Sequence, residues 1–180
     1  CSSDLTPDSF SYGGLFLDPG RAVEHGLEMA RDGAHIIDVG GESTRPYAEK
    51  LSSTEEIDRV IPVIQALTRE LSIPISIDTT KSQVAMEAMD AGASIINDIS
   101  ALHFDPEMGA FAAKAEVPII LMHMKGNPEN MQDNPVYDDV VGEVLDFLKH
   151  SMDRYVALGI RKDLIVVDPG IGFGKTFSHN

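Results

Sequence analysis

Positive charge is scarce in this chain. Fourteen Lys and Arg stand against 29 Asp and Glu among 180 residues, a formal net charge of −15 at pH 7. A field of that sign repels phosphate backbones and anionic lipid, so neither nucleic acid nor a membrane surface is an expected partner. Cysteine occurs once, as Cys1, which excludes an intrachain disulfide and a cysteine zinc cluster. No apolar run approaches the roughly 20 residues of a membrane span, and nothing at the start reads as a signal peptide. His25, His35, His103, His150 and His179 show no metal-ligand spacing with one another. What remains is globular: 43% hydrophobic and 24% charged residues in a length that suits one domain, residues 1–180.

Short β-branched runs alternate with longer helical periods. Strands are expected at 35–39, 73–77, 94–96, 117–122 and 164–167. Each is almost continuously apolar, as strands covered on both faces are. Ile57, Val60, Ile61, Ile64, Leu67 and Leu71 recur at helical spacing, with Ser53 or Thr54 as the expected N-cap. A second long helix is expected at 136–158, with Val140, Val141, Val144, Leu148, Met152 and Tyr155 facing inward. Shorter helices fit 19–32, 81–91 and 105–115. Strand–helix alternation implies parallel strands with right-handed crossovers. The segment Asp32–Asp38 is echoed by Ala91–Asn97: a glycine ends a helix, two isoleucines follow, then a polar group. Such half-units suit a (β/α)8 barrel and an open doubly wound sheet alike.

The strand ends carry the chemistry. Asp38 and Glu42, then Asp78 to Lys81, Asn97 and Asp98, His123, and Asp168 close the five runs. Strand carboxyl ends share one mouth in parallel α/β folds, so these groups point to one polar site. Asp78 or Asp98 taken alone would fit a helix N-cap. His123, between Met122 and Met124, fits either a packed wall residue or a site residue. Gly174-Lys175-Thr176 copies the end of a phosphate-binding P-loop, but Pro169 stands where its first glycine belongs, and the motif fails. The segment Asp168–Lys175 is therefore a strand end followed by a tight glycine loop. Arg45, in a glycine-rich loop of an acidic chain, is a candidate for holding an anion; a salt bridge to Glu42 or Glu49 is the alternative. Residues 125–135 form a long polar loop, either a lid or a mobile segment.

Six ordered segments together resemble the dihydropteroate synthase family. They are Thr6–Phe10, Gly40–Pro46, Ile77–Lys81, Ile96–Ser100, Met122-His123 and Asp168–Lys175, and the likeness runs from about Leu5 to Asn180. The resemblance implies a TIM (β/α)8 barrel, with the first strand and the last two β/α units missing or incomplete here. It implies a cytoplasmic, homodimeric transferase of folate biosynthesis. Such an enzyme condenses 6-hydroxymethyl-7,8-dihydropterin diphosphate with 4-aminobenzoate, releasing diphosphate, and is a sulfonamide target. By resemblance Asp78, Asn97 and Asp168 hold the pterin, with Met122 and Phe173 near its faces. Asp78 and Arg45 act in catalysis, and Thr44, Arg45, Pro46 and Phe10 approach the diphosphate and aminobenzoate. Asp4 stands where the family has an asparagine that binds magnesium, and Tyr12 and Tyr47 also depart from its usual residues. Two alternatives are a pterin-binding methyltransferase and a non-catalytic pterin-binding module. The family's later lysine and arginine–histidine motifs are absent from these 180 residues, so this piece alone is expected to be inactive.

Overall fold

Alternate residues along each strand divide the chain's chemistry between two faces. In the computed structural model, which describes residues 2–4, 18–43 and 50–180, six strands alternate with five helices. The strands are β1 (Ser2–Asp4), β2 (Ile37–Gly40), β3 (Ile75–Asp78), β4 (Ile95–Asp98), β5 (Ile119–Met122) and β6 (Ile165–Asp168). The helices are α1 (Pro19–Arg31), α2 (Ser53–Glu70), α3 (Ser82–Asp90), α4 (Glu107–Ala115) and α5 (Val140–Ala157). All five strand pairings are parallel, and the order is β1-β2-β3-β4-β5-β6. A doubly wound sheet reverses its strand order at a switch point, whereas a barrel winds in one direction. The unreversed order therefore selects the barrel winding that periodicity left open.

The first strand corrects an expectation. Ser2, Ser3 and Asp4 have little β-propensity, yet they pair with Asp38, Val39 and Gly40, and strand formation here follows the partner's ladder. The N-cap of α2 is Ser52, not Ser53 or Thr54. Ser52 and Glu55 form a reciprocal capping box: Ser52 N donates to Glu55 Oε2 at 2.9 Å and Glu55 N to Ser52 Oγ at 3.3 Å. Helix α5 starts at Val140 rather than 136, because Asp139 caps it through Gly142 N. That start leaves Val141 65% exposed, while Val144, Leu148, Ser151 and Tyr155 are buried.

The outer face of the sheet carries Ile37, Val39, Ile75, Ile77, Ile96, Ile119 and Leu121, all buried. Val60, Ile64 and Leu67 of α2, Val84 and Ala88 of α3, and Met108 of α4 join them in one core. Each such aliphatic side chain contributes about 1.5–3 kcal/mol by leaving water. The sequence echo is physical. Gly33 and Gly92 close α1 and α3 with positive φ (98° and 112°), and the next amides, of Ala34 and Ala93, reach back to Met29 O and Ala88 O. Among the described residues no helix is long and apolar enough to cross a membrane.

Candidate functional site

Register decides which polar strand ends meet. Gly40 lies opposite Asp78, Asp78 opposite Asn97, Asn97 opposite Ile120, and Met122 opposite Asp168. Side chains alternate along a strand, so Asp38, Asp78, Asn97, Met122 and Asp168 all belong to the inner face. Neighbouring strands stand about 4.8 Å apart, so these groups form one polar row across the carboxyl ends of β2 to β6. The two residues aligned by the sequence echo touch directly. Asn97 Nδ2 donates to Asp38 Oδ2 at 3.1 Å, and Ser76 Oγ donates to Asp38 Oδ1 at 2.5 Å. Asp38 thereby fixes the carboxamide, with its oxygen left as the group to present to a guest. Sequence reasoning counted Asp38 among the strand ends of one polar site but did not foresee its contact with Asn97; the echo was the signal.

Asp98 goes the other way. It is 1% exposed, on the outer face, and accepts from Ser100 N (2.9 Å), Ser100 Oγ (2.7 Å), Leu102 N (2.8 Å) and the Tyr155 hydroxyl (3.2 Å). Burial and then the Asp98 charge push that hydroxyl's pKa up. These bonds hold Ala101 and Leu102 at positive φ (49° and 65°), which non-glycine residues rarely adopt. Asp98 therefore shapes the turn after β4 and takes no part in the inner site.

The apolar wall comes from a second small cluster: Ile99, Met122, Met124 and Met131, with Phe173 packed against it. Met122 and Phe173 are thus brought together. Phe173 rides on the glycine loop after β6. Asp168 Oδ1 accepts from Gly170 N at 2.7 Å, which starts the turn. Gly170 has φ +66°, and a Cβ there would lie 2.0 Å from His123 O, so no other residue fits.

Lys175, read from sequence only as part of a failed motif, turns inward and is 5% exposed. Its Nζ donates to Gly170 O (2.9 Å) and Phe173 O (3.1 Å) and meets His123 Nδ1 at 2.9 Å. Burial pulls its pKa down to about 8, against the opposing pull of Asp168. His123 is the packed wall residue of the two readings. It is 4% exposed and stands edge-on to Phe147 at 4.9 Å. Burial, then the Lys175 charge, pushes its pKa down to about 4, so it faces Lys175 as a neutral acceptor. The 125–135 loop is fastened: Gln132 Nε2 donates to Gly172 O at 2.5 Å and, just beyond it, the Tyr137 hydroxyl to Gly174 O at 2.7 Å.

Beside Asp78 opens a cavity of about 570 Å³, bordered by Glu42, Glu56, Lys81, Asp105 and Asn127. Lys81 bridges Glu42 and Glu56, the latter at 2.5 Å. Burial alone would lower the ammonium's pKa; the two carboxylates outweigh it and hold the value above that of an ordinary lysine. Glu42 also accepts from Leu51 N at 3.2 Å, so its alternative as the partner of Arg45 competes with a bond already made. Glu56 is 1% exposed and its Oε1 has no hydrogen-bond partner among the described residues. By position Glu56 is one of the two acids in the first turn of α2, with Glu55. Phe10, Tyr12, Thr44, Arg45, Pro46 and Tyr47 lie outside the described residues, and Asp4 is described by its backbone alone, opposite Gly40 at the mouth end.

Carboxylates and a carboxamide on one face, next to a Met–Phe wall, suit a flat heterocycle with a polar edge. The pattern of the pterin binding enzyme family matches residues 4–180. Dihydropteroate synthase of Synechocystis sp. is 51% identical over 177 residues, covering 98% of this chain and 61% of that protein. The Yersinia pestis dihydropteroate synthase, solved as a sulfonamide drug complex, superimposes with a TM-score of 0.95 at 46% identity, over 99% of this chain and 65% of that one. The Xanthomonas albilineans dihydropteroate synthase, solved with 4-aminobenzoic acid, gives 0.88 at 45% identity, over 99% and 63%. This chain therefore spans about three fifths of the length of the curated relatives it matches.

Proposed function

The chain belongs to the pterin binding enzyme family, and from that premise we propose that the protein carrying it is a dihydropteroate synthase. It would join 6-hydroxymethyl-7,8-dihydropterin diphosphate to 4-aminobenzoate and release diphosphate. One observation carries the reading: the parallel register that sets Asp78, Asn97, Met122 and Asp168 on a single face. A pterin edge alternates donors and acceptors, and a site built from fixed partners rejects rings that lack them. Asp168 and Asn97 pair with that edge, and Met122 and Phe173 cover the ring.

The amine nitrogen of aminobenzoate forms a carbon–nitrogen bond to the methylene as the carbon–oxygen bond to diphosphate breaks, and the nitrogen's extra proton leaves to solvent; no catalytic triad is needed. Positive charge grows on the methylene and negative charge on the departing diphosphate. Asp78 stabilises the first electrostatically, and Arg45 in its loop is the candidate for the second. Holding both substrates in line supplies much of the rate.

Magnesium belongs to this proposal through Asp4, the last residue of β1. Among the described residues no group of three His, Cys, Asp or Glu side chains is arranged around a metal. A single carboxylate still fits this ion, which keeps several waters and takes oxygens from substrate phosphates. When bound, it neutralises charge on the leaving diphosphate. Homodimer formation, a cytoplasmic place and sulfonamide sensitivity belong to the same proposal.

The test is an assay of the purified gene product with both substrates and magnesium, following dihydropteroate and diphosphate. Product is expected, with loss on the order of 100-fold or more in Asp78→Asn and Asp168→Asn. Absence of product, or pterin binding indifferent to both substitutions, overturns the reading.

A further inference from the structure

We propose that Lys175 is a positioning residue: it holds the Asp168–Gly174 loop against the end of β5 so that Asp168 and Phe173 face the mouth together. An ammonium has three N–H donors. Here they meet three acceptors, at 2.9, 3.1 and 2.9 Å, from Gly170 O, Phe173 O and His123 Nδ1. The first two belong to the loop, and the third follows Met122 at the end of β5. One side chain thus joins the residue that turns the loop, the aromatic at its tip and the strand carrying the opposite wall. Two further loop carbonyls are held from the neighbouring segment, Gly172 O by Gln132 and Gly174 O by Tyr137, and Asp168 O accepts from His123 N at 2.9 Å. Lys175 is the only one of these donors that binds two loop carbonyls at once.

A bare stability role explains this residue poorly. Burying an ammonium is costly, and an apolar side chain of similar volume would serve packing as well or better. What the ammonium supplies is direction. Three charge-assisted bonds fix a loop that contains three positive-φ glycines and has little conformational preference of its own. An arginine would not substitute, because its planar fork needs different acceptor geometry and more room.

The consequence for pterin binding rests on the function proposed above, while the consequence for loop order does not. The test uses the full-length gene product with Lys175→Met. Hydrogen exchange at Phe173 and Gly174 is expected to accelerate about tenfold or more, with the thermal midpoint little changed. The KM for the pterin diphosphate should rise about tenfold or more, and the KM for 4-aminobenzoate should stay within about twofold. If that variant does not fold, a histidine pair decides. His123→Asn offers an oxygen to Lys175 and should keep pterin affinity, whereas His123→Leu should lose part of it. Unchanged exchange in a folded Lys175→Met protein overturns the proposal. So does an equal rise in both KM values with a fall in midpoint, which marks general packing damage. A native protein that binds no pterin, but whose loop loosens in Lys175→Met, removes the function reading and leaves the loop clamp standing.

Discussion

The two faces of the sheet are built from alternate residues of the same strands, and β4 shows how differently neighbours are used. Asn97 faces inward, half-buried, with one side of its amide tied to Asp38. Asp98 faces the helices, sealed at 1% exposure, with four donors closing on it. The side chains have nearly the same shape. What separates them is parity: the outer face is packed mainly with apolar side chains, so a carboxylate there must be saturated by hydrogen bonds to be tolerated. The inner face leaves polar capacity for a guest. A strand end with two adjacent polar residues therefore contributes one to the fold and one to the site.

Breaking the two neighbours separately gives the largest contrast. Asp98→Ala leaves the Ser100 and Leu102 amides and the Tyr155 hydroxyl without their acceptor, and should cost about 4 kcal/mol in urea unfolding. Pterin affinity per folded molecule should stay near normal. Asn97→Ala should show the reverse, about 1 kcal/mol of stability and a loss of pterin affinity on the order of 100-fold. Equal stability losses in the two would end the division between faces.

The mouth-side ion cluster is the next test. Lys81→Met leaves Glu56, 1% exposed, without its cation and should cost about 3 kcal/mol. Adding Glu56→Gln to it should recover most of that loss in denaturant melts. A double variant no better than the single one would mean that Lys81 acts through Glu42 instead.

His123 sharpens the comparison through pH. Its folded pKa, about 4, lies below the ordinary histidine value of 6.5. Between these values the unfolded chain binds the extra proton, so acid favours unfolding. The contribution is complete above pH 6.5, falls as pH drops, and is gone below about 4. Urea melts across that window should show His123→Asn losing less stability than the native protein, by on the order of 2 kcal/mol. Parallel pH slopes would mean that His123 takes up its proton without disturbing Lys175.

Much of this was legible beforehand. Apolar runs gave the described strands β2 to β6 within a few residues, and polar strand ends pointed to Asp78, Asn97 and Asp168. β1 was missed because Ser-Ser-Asp has no strand signature, and only a neighbour's ladder makes it one. Lys175 was missed for a related reason: a lysine after three glycines carries no sign that it turns inward. Strand ends alone did not separate Asp98 from Asn97; the resemblance singled out Asn97, and register gives the reason, since the two occupy opposite faces. Nothing in composition reveals parity, because a one-residue shift leaves the list of residues unchanged and exchanges the faces.

Ser52 and Ser53 repeat the lesson at a smaller scale. Both precede acidic residues and an apolar helical stripe, and both satisfy the preference for serine at an N-cap. Only Ser52 has the extended backbone of a cap (φ −67°, ψ 157°), and only it exchanges bonds with Glu55. Ser53 is already inside the helix, where a hydroxyl adds nothing to the capping and alanine has the better propensity. Ser52→Ala should therefore cost about 1 kcal/mol, while Ser53→Ala should be neutral or stabilising by a few tenths. Denaturant midpoints of the two single variants measure the difference. A larger loss at Ser53 would move the start of α2 by one residue.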